Sequence, residues 1–205
     1  MTITMTRSHF KPVYVVRALA VLAMLAGTVS VASAQTAAPA LVFANKSVLT
    51  VDAISLDLKI KNIPPREYPH MNYRSQVRFE DGAREWAAAH FMLTGNSVNQ
   101  LRVTIRQGDI VEKLLPVKKG IKGWFTKDQA AEYEATLDVE LAIVDANGMV
   151  LSSASGKSRH TRTVPEGTTE ADKQQVWAGM IVASFDALDN ELQPQVRQVM
   201  AQFIR

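Results

Sequence analysis

Past residue 34 the chain carries three histidines, His70, His90 and His160, far apart and without a carboxylate at ligand spacing. A zinc site gathers its ligands in close pairs such as H-E-x-x-H. No such pair occurs, so the sequence assigns no metal and no cofactor. A G-x-S-x-G elbow, a phosphate-cradling G-x-x-x-x-G-K-[ST] loop and a G-x-G-x-x-G turn after a strand are absent too. Ser152, Ser153, Ser155 and Ser158 resemble a row of nucleophiles, but alternation explains them as small residues of a strand. Glu132, Glu134, Asp138 and Glu140 recur along a strand, where a carboxylate row can hold calcium. Lys157 and Arg159 fall opposite them, which favours a solvated charge ladder. His90 sits in an alanine-rich segment and is expected to be a packed, hydrogen-bonded histidine. His160, between Arg159 and Arg162, is expected to face inward near a strand end. No catalytic residue is assigned, and the expectation is a protein that is not an enzyme.

Two stretches offer contacts rather than chemistry. In KKGIKGWFTKDQ, Lys118, Lys119 and Lys122 surround Ile121, Trp124 and Phe125. Apolar side chains among lysines, off any regular element, suit a membrane surface or a protein partner. The competing reading turns Trp124 and Phe125 inward to plug the core while the lysines stay wet. The second stretch is rich in proline, with Pro64, Pro65 and Pro69, and presents Arg66, Tyr68, His70 and Tyr73. It reads as an extended connection over the surface.

The elements that position these residues are legible from periodicity. Tyr133, Ala135, Leu137, Val139, Leu141 and Ile143 alternate with Glu134, Thr136, Asp138 and Glu140, the pattern of a strand with one buried face. Asn147-Gly148 suits a two-residue type I′ turn. The implied register sets Leu141 against Ala154, Val139 against Gly156, Leu137 against Ser158 and Ala135 against His160. Large aliphatics thus lie beside small residues, over which a helix can approach closely. Asp138 falls opposite Lys157, with Glu134 and Arg159 diagonal.

Upstream, Ser47–Ile60 reads as a long strand whose apolar parity changes near Ala53-Ile54, as at a bulge or bend. A helix is expected over Asp81–Leu93, with Asp81 as N-cap and Gly95 as stop. Next, Leu101, Val103 and Ile105 alternate with Arg102, Thr104 and Arg106, and Ile110–Val117 continues as strand after a turn or bulge at Gly108-Asp109. A last helix begins at Thr168 or Thr169, where Thr169-x-x-Asp172 resembles a capping box. It carries Trp177, Ile181, Phe185, Leu188, Leu192, Val196, Val199 and Phe203 on one stripe, and Pro194 should kink or split it. The fold expected is α+β, a two-layer sandwich. Its four-stranded, mainly antiparallel sheet runs strand-helix-strand-strand-strand-helix, with two helices on one face.

Residues 1–34 read as a cleavable signal peptide: Arg7, Lys11 and Arg17, then the apolar stretch Ala18–Val31, then Ala32-Ser33-Ala34. The apolar run is shorter than the ~20 residues a spanning helix needs. Residues 35–46 are expected to be a flexible mature N-terminus and 47–205 a single domain. The signal holds three of the 23 Lys and Arg and none of the 20 Asp and Glu. The remainder is formally neutral and gives no case for nucleic acid. With no cysteine, neither a disulfide nor a lipid anchor on cysteine can form, so a periplasmic location is expected.

Trp86, the segment Gly120-Ile121-Lys122-Gly123-Trp124-Phe125-Thr126, Tyr133, and Arg162-Thr163-Val164-Pro165 together resemble an uncharacterised family of exported bacterial envelope proteins. More loosely, the element order is similar to that of the auxiliary lipoproteins of ABC-type envelope lipid transport systems. Those are anchored through a lipidated cysteine, where this chain has Ala-Ser-Ala-Gln. The function expected is that of a non-enzymatic periplasmic accessory protein that binds an envelope protein or a membrane surface. The alternative is a carrier of lipid or a small molecule with an apolar pocket between sheet and helices; a periplasmic hydrolase using His160 or a carboxylate pair is the third.

Overall fold

The computed structural model describes residues 37–43, 48–116 and 129–205. Residues 1–34, expected to be a signal peptide, and the lysine–aromatic residues Lys118, Lys119, Ile121, Lys122, Trp124 and Phe125 lie outside the described residues. The elements are β1 (Leu49–Val51), β2 (Ser55–Ile60), α1 (Phe79–His90), β3 (Phe91–Leu93), β4 (Gln100–Leu114), β5 (Gln129–Val144), β6 (Val150–Pro165) and α2 (Glu170–Val199). The fold is α+β. Strands β2, β4, β5 and β6 form one sheet in that order, antiparallel except for β2, which runs parallel to β4.

The β5–β6 ribbon pairs as the alternation requires, with Leu141 against Ala154, Val139 against Gly156, Leu137 against Ser158 and Ala135 against His160. A slip of one residue would bury the carboxylate row and expose six apolar side chains, which pins the register. The turn differs from the expected type I′. Only Gly148 has positive φ, at 81°, while Asn147 does not. Asp145 organises the loop instead: its carboxylate accepts from the amides of Asn147 and Met149, and its carbonyl accepts from Gly148 N. That is an Asx-type local bond competing successfully with the two-residue turn.

Both helices cover one face. Gly108, Leu137 and Ser158 form a row across β4, β5 and β6. Phe79 of α1 lies over Gly108, and Ser158 Oγ donates to the Ser184 carbonyl of α2 at 2.8 Å. At Gly156 a Cβ would stand 2.9 Å from Leu188 Cδ1, so α2 rests almost on the β6 backbone. Glu191 reaches past it to accept from Lys157 N at 3.1 Å, covering part of an edge strand. Trp86 and Phe185 stack between the helices with ring centroids 5.5 Å apart. The other face is ionic: Asp138 is held by Arg106 at 2.7 Å and Lys157 at 3.1 Å, and Glu134 by Arg159 at 3.5 Å.

Several further expectations are corrected. The run 47–60 is two strands: the parity change at Ala53-Ile54 marks a break, after which β1 pairs with β3 in a small parallel sheet and β2 joins the main one. The first helix begins at Phe79 and stops at His90, because Phe91–Leu93 is drawn out as the partner of β1. Asp81 is not its N-cap but accepts from Arg78 N at 2.9 Å from within the first turn. Gln100–Leu114 is one continuous strand, as the four-strand order requires, with its bulge between Ile105 and Gln107 instead of at Gly108-Asp109. The last helix is capped by Thr169 as expected and runs through Pro194 without a break. It ends at Val199, which is exposed, and Phe203 lies in a following 3-10 turn.

Residues 37–43 have no regular structure, yet Phe43 is buried against Phe185, so the expected flexible N-terminus is partly anchored. At the other end, Asp52 N donates to the Phe203 carbonyl and Arg205 N to the Thr50 carbonyl, with Val51 bridged to Ile204. Residues 203–205 thus close the outer edge of β1.

A Cβ at Gly108 would meet Phe79 Cγ at 2.8 Å and Phe79 Cβ at 2.9 Å. Phe79 opens α1 and cannot retreat alone. Gly108→Ala is therefore expected to destabilise by about 1–3 kcal/mol through overpacking. Gly179, in α2 with open space around it, gives the opposite sign: Gly179→Ala should stabilise by about 0.5–1 kcal/mol. Urea midpoints at unchanged slope measure both.

Candidate functional site

The space between sheet and helices is closed. Trp86, Trp177, Phe185, Leu137 and Leu141 are fully buried there, and a void of only about 10 Å³ remains beside Trp86, His90, Leu141 and Asp189. That is room for about one water molecule at most, so the described residues leave no larger space at this point between sheet and helices. His90 is packed as expected: its Nδ1 donates to the Trp86 carbonyl at 2.8 Å, and its Nε2 lies 3.8 Å from Asp189, itself buried.

A larger concavity among the described residues lies at the sheet's β2 edge, where the proline-rich connection meets the start of α1. β2 hydrogen-bonds the first half of β4 and leaves at Ile60, opposite Ile105. Beyond the bulge, the edge of β4 is served by the returning connection: Met71 N donates to the Ile110 carbonyl at 2.7 Å, and Glu112 N to the Pro69 carbonyl at 2.8 Å. Between the two, the Asn72 amide stands in for a strand. Its Nδ2 donates to the Gly108 carbonyl at 2.9 Å, and its Oδ1 accepts from Ile110 N at 2.8 Å.

Three anchors hold the connection. Met71 is buried in the core. His70 Nδ1 donates to Asp109 Oδ2 at 2.6 Å, the carboxylate being able only to accept. Gln174 of α2, also buried, gives its Nε2 to the Arg74 carbonyl at 2.9 Å and takes Gln76 N at 2.8 Å. An Arg74–Glu170 ion pair at 2.9 Å adds to this last tie.

The result is a cleft of about 440 Å³, floored by Ile105 and Gly108 and walled by Ile60, Ile63, Pro64 and Phe79. Its polar lining is Asn62, Arg66, Asn72, Tyr73, Ser75, Arg78 and Glu80. Arg78 is engaged, with Nε 3.1 Å from Glu80 Oε2. Arg66 is exposed and makes no ion pair among the described residues. Of the four residues expected to form a contact surface here, Arg66 and Tyr73 line the cleft. Tyr68 is exposed but does not line it, and His70 is turned to Asp109. Sequence reasoning missed Asn72, Phe79, Arg78 and the partner of His70. Asp109 lies 39 residues away in the chain, so no local spacing could reveal it.

His70–Asp109 has the form of a catalytic dyad, yet among the described residues no hydroxyl hydrogen-bonds to His70. Its contacts tie a loop to a strand. Nearby, Tyr133 is fully buried, stacks edge-on against Trp177 and donates to Glu112 at 2.7 Å. Burial, then the bond to Glu112, push its hydroxyl well above the ordinary tyrosine range. On the outer face Asp57 is shifted the other way. Burial raises it, but hydrogen bonds from Arg102 and Lys59 outweigh that, so its carboxyl lies below the ordinary range.

No protein-family model and no curated protein matches the chain. Solved structures do show likeness. A minor lipoprotein from Acinetobacter baumannii is 14% identical, with 75% of this chain and 96% of that one covered at a TM-score of 0.35. The rare lipoprotein B of Shewanella oneidensis is 17% identical over 70% of this chain and 95% of its own, also at 0.35. A Xanthomonas campestris protein of family DUF330 is 13% identical over 71% and 89%, at 0.29. At such values these likenesses assign no function. Among the described residues no helix is long and apolar enough to cross a membrane, and no group of metal-ligating side chains is gathered.

Two outcomes test this geometry. Asp109→Ala removes a charge-assisted bond, so exchange of the Met71 and Glu112 amides should quicken by roughly tenfold or more, while amides of the β5–β6 ribbon keep their protection. For Tyr133, the unfolded chain ionises from about pH 10 while the folded chain does not. Its contribution is intact below that pH and lost as pH rises above it. Stability should therefore fall more steeply above about pH 10 in the parent than in Tyr133→Phe, by up to one proton's worth of slope in urea titrations.

Proposed function

We propose that this chain is a non-enzymatic accessory protein of the cell envelope that works by binding, and that the cleft beside the 61–78 connection is its binding site. One observation carries the reading. A proline-rich surface segment, which nothing in its own sequence would hold still, is tied to β4, to the core and to α2, and so keeps a cleft of about 440 Å³ open. Ligand sites are typically preformed concavities of ~300–1,000 Å³, apolar with a few placed polar groups. Export is supported by the sequence of residues 1–34. The lysine–aromatic residues Lys118, Lys119, Ile121, Lys122, Trp124 and Phe125 remain part of the proposal as a second contact with a membrane surface or an envelope protein, supported by their composition alone.

A photoreactive residue in place of Tyr73, in cells exporting the full chain, tests the site against the same residue in place of Arg159 on the ionic face. Adducts of defined mass from position 73 and none from 159 are expected. Equal labelling at both positions, or none at 73, would rule the cleft out as the binding site.

A further inference from the structure

We infer that the cleft takes an amphiphilic anion, a single apolar tail bearing one carboxylate or phosphate head, with the head on Arg66. The inference rests on the cleft being the binding site and goes on to name what fills it.

Charge sets the sign of the ligand. The other arginines bordering this region are spoken for: Arg74 by Glu170, Arg78 by Glu80, Arg102 by Asp57 at 2.8 Å and Arg106 by Asp138. Arg66 is the lining cation left without a counter-charge among the described residues, and Glu80, the lining carboxylate, is already matched by Arg78. A planar guanidinium presents paired donors that fit the two oxygens of a carboxylate or phosphate. Asn62 and Tyr73, in the same lining and without hydrogen bonds of their own among the described residues, can add donors beside it.

The walls set the rest of the ligand. Ile63 is 77% exposed and Ile60 38%, and with Pro64 they form an aliphatic wall facing Phe79 and Ile105. Covering that wall with an alkyl tail removes apolar surface from water at about 25 cal/mol per Å². A small inorganic anion would satisfy Arg66 and leave the wall wet. A neutral oil would cover the wall and gain nothing from Arg66. Among the described residues the charges of the sheet's outer face neutralise one another and the void at His90 holds about 10 Å³, so neither offers an equivalent.

Isothermal titration of the full secreted chain with twelve-carbon amphiphiles, each below its micelle concentration, reads this directly. Dodecanoate and dodecyl phosphate are expected to bind one to one. Dodecyl maltoside and dodecyltrimethylammonium should bind roughly tenfold more weakly or worse, the worth of one charge-assisted bond. Arg66→Ala should weaken both anions by a similar factor, with its thermal unfolding unchanged because Arg66 is exposed. Arg84→Ala, on the exposed side of α1, should leave binding as it is. The tighter of the two anions identifies the head as carboxylate or phosphate. No binding of either anion up to about 1 mM, equal binding of the neutral or cationic amphiphile, or an unchanged affinity in Arg66→Ala would each overturn the inference. Position-73 adducts alongside any of these would keep the cleft as the site and discard only this class of ligand.

Discussion

Leu188 and Leu192 lie on β6 at a place where no side chain separates them from the strand, Gly156 having none to offer and its neighbours on that face being Ala154 and Ser158. The aliphatics that would normally fill the layer stand one strand over, at Leu137, Val139 and Leu141. The face is therefore low along β6, and α2 packs closely there, with Leu188 Cδ1 2.9 Å and Leu192 Cγ 3.3 Å from where a Gly156 Cβ would stand. Ser158 and Ser184 then come within hydrogen-bond reach, which ties the approach chemically as well as sterically. Everything else adjusts to how low α2 sits: α1 meets it across Gly82, whose absent Cβ would stand 2.7 Å from Ile181, and the aromatic cluster of Trp86 and Phe185 fills the remaining wedge.

Among the described residues a layer closed so tightly leaves little interior room, and the larger concavity arises where the layering stops. It does so at the bulge of β4. There one neighbour strand ends, the next comes as a returning loop, and a single asparagine bridges the gap. The polar atoms of a sheet edge are thereby satisfied without another strand being laid down, and the room that strand would have filled is left open to solvent.

How much of this could be read from the chain alone follows from the range of the forces involved. The β5–β6 register was legible because period-two alternation and complementary charges agree residue by residue, as at Asp138 and Lys157. The capping of α2 by Thr169 is local in the same way. The division of 47–60 into two strands was visible only as a change of parity, since the partner that takes the first piece, Phe91–Leu93, looks like the tail of a helix until β1 is beside it. At the candidate site Arg66 and Tyr73 stood out by composition. Asp109, Asn72 and Gln174 did not, because their role is to meet groups 36 to 100 residues away in the chain. Asp145 is a smaller lesson of the same kind: a side chain next to an Asn-Gly pair captured the amides that would otherwise have made the shorter turn.

The clasp of residues 203–205 over β1 bears on how the molecule comes into being. A polypeptide is made from its amino end, so β1 is laid down long before residues 203–205, and the outer edge of that strand waits unbonded until they arrive. The ring closed by joining Thr50 to Arg205 is among the longest this chain can make, and closures of that length form late. Until then the first strand carries an open edge, and the finished fold hides what its assembly exposes.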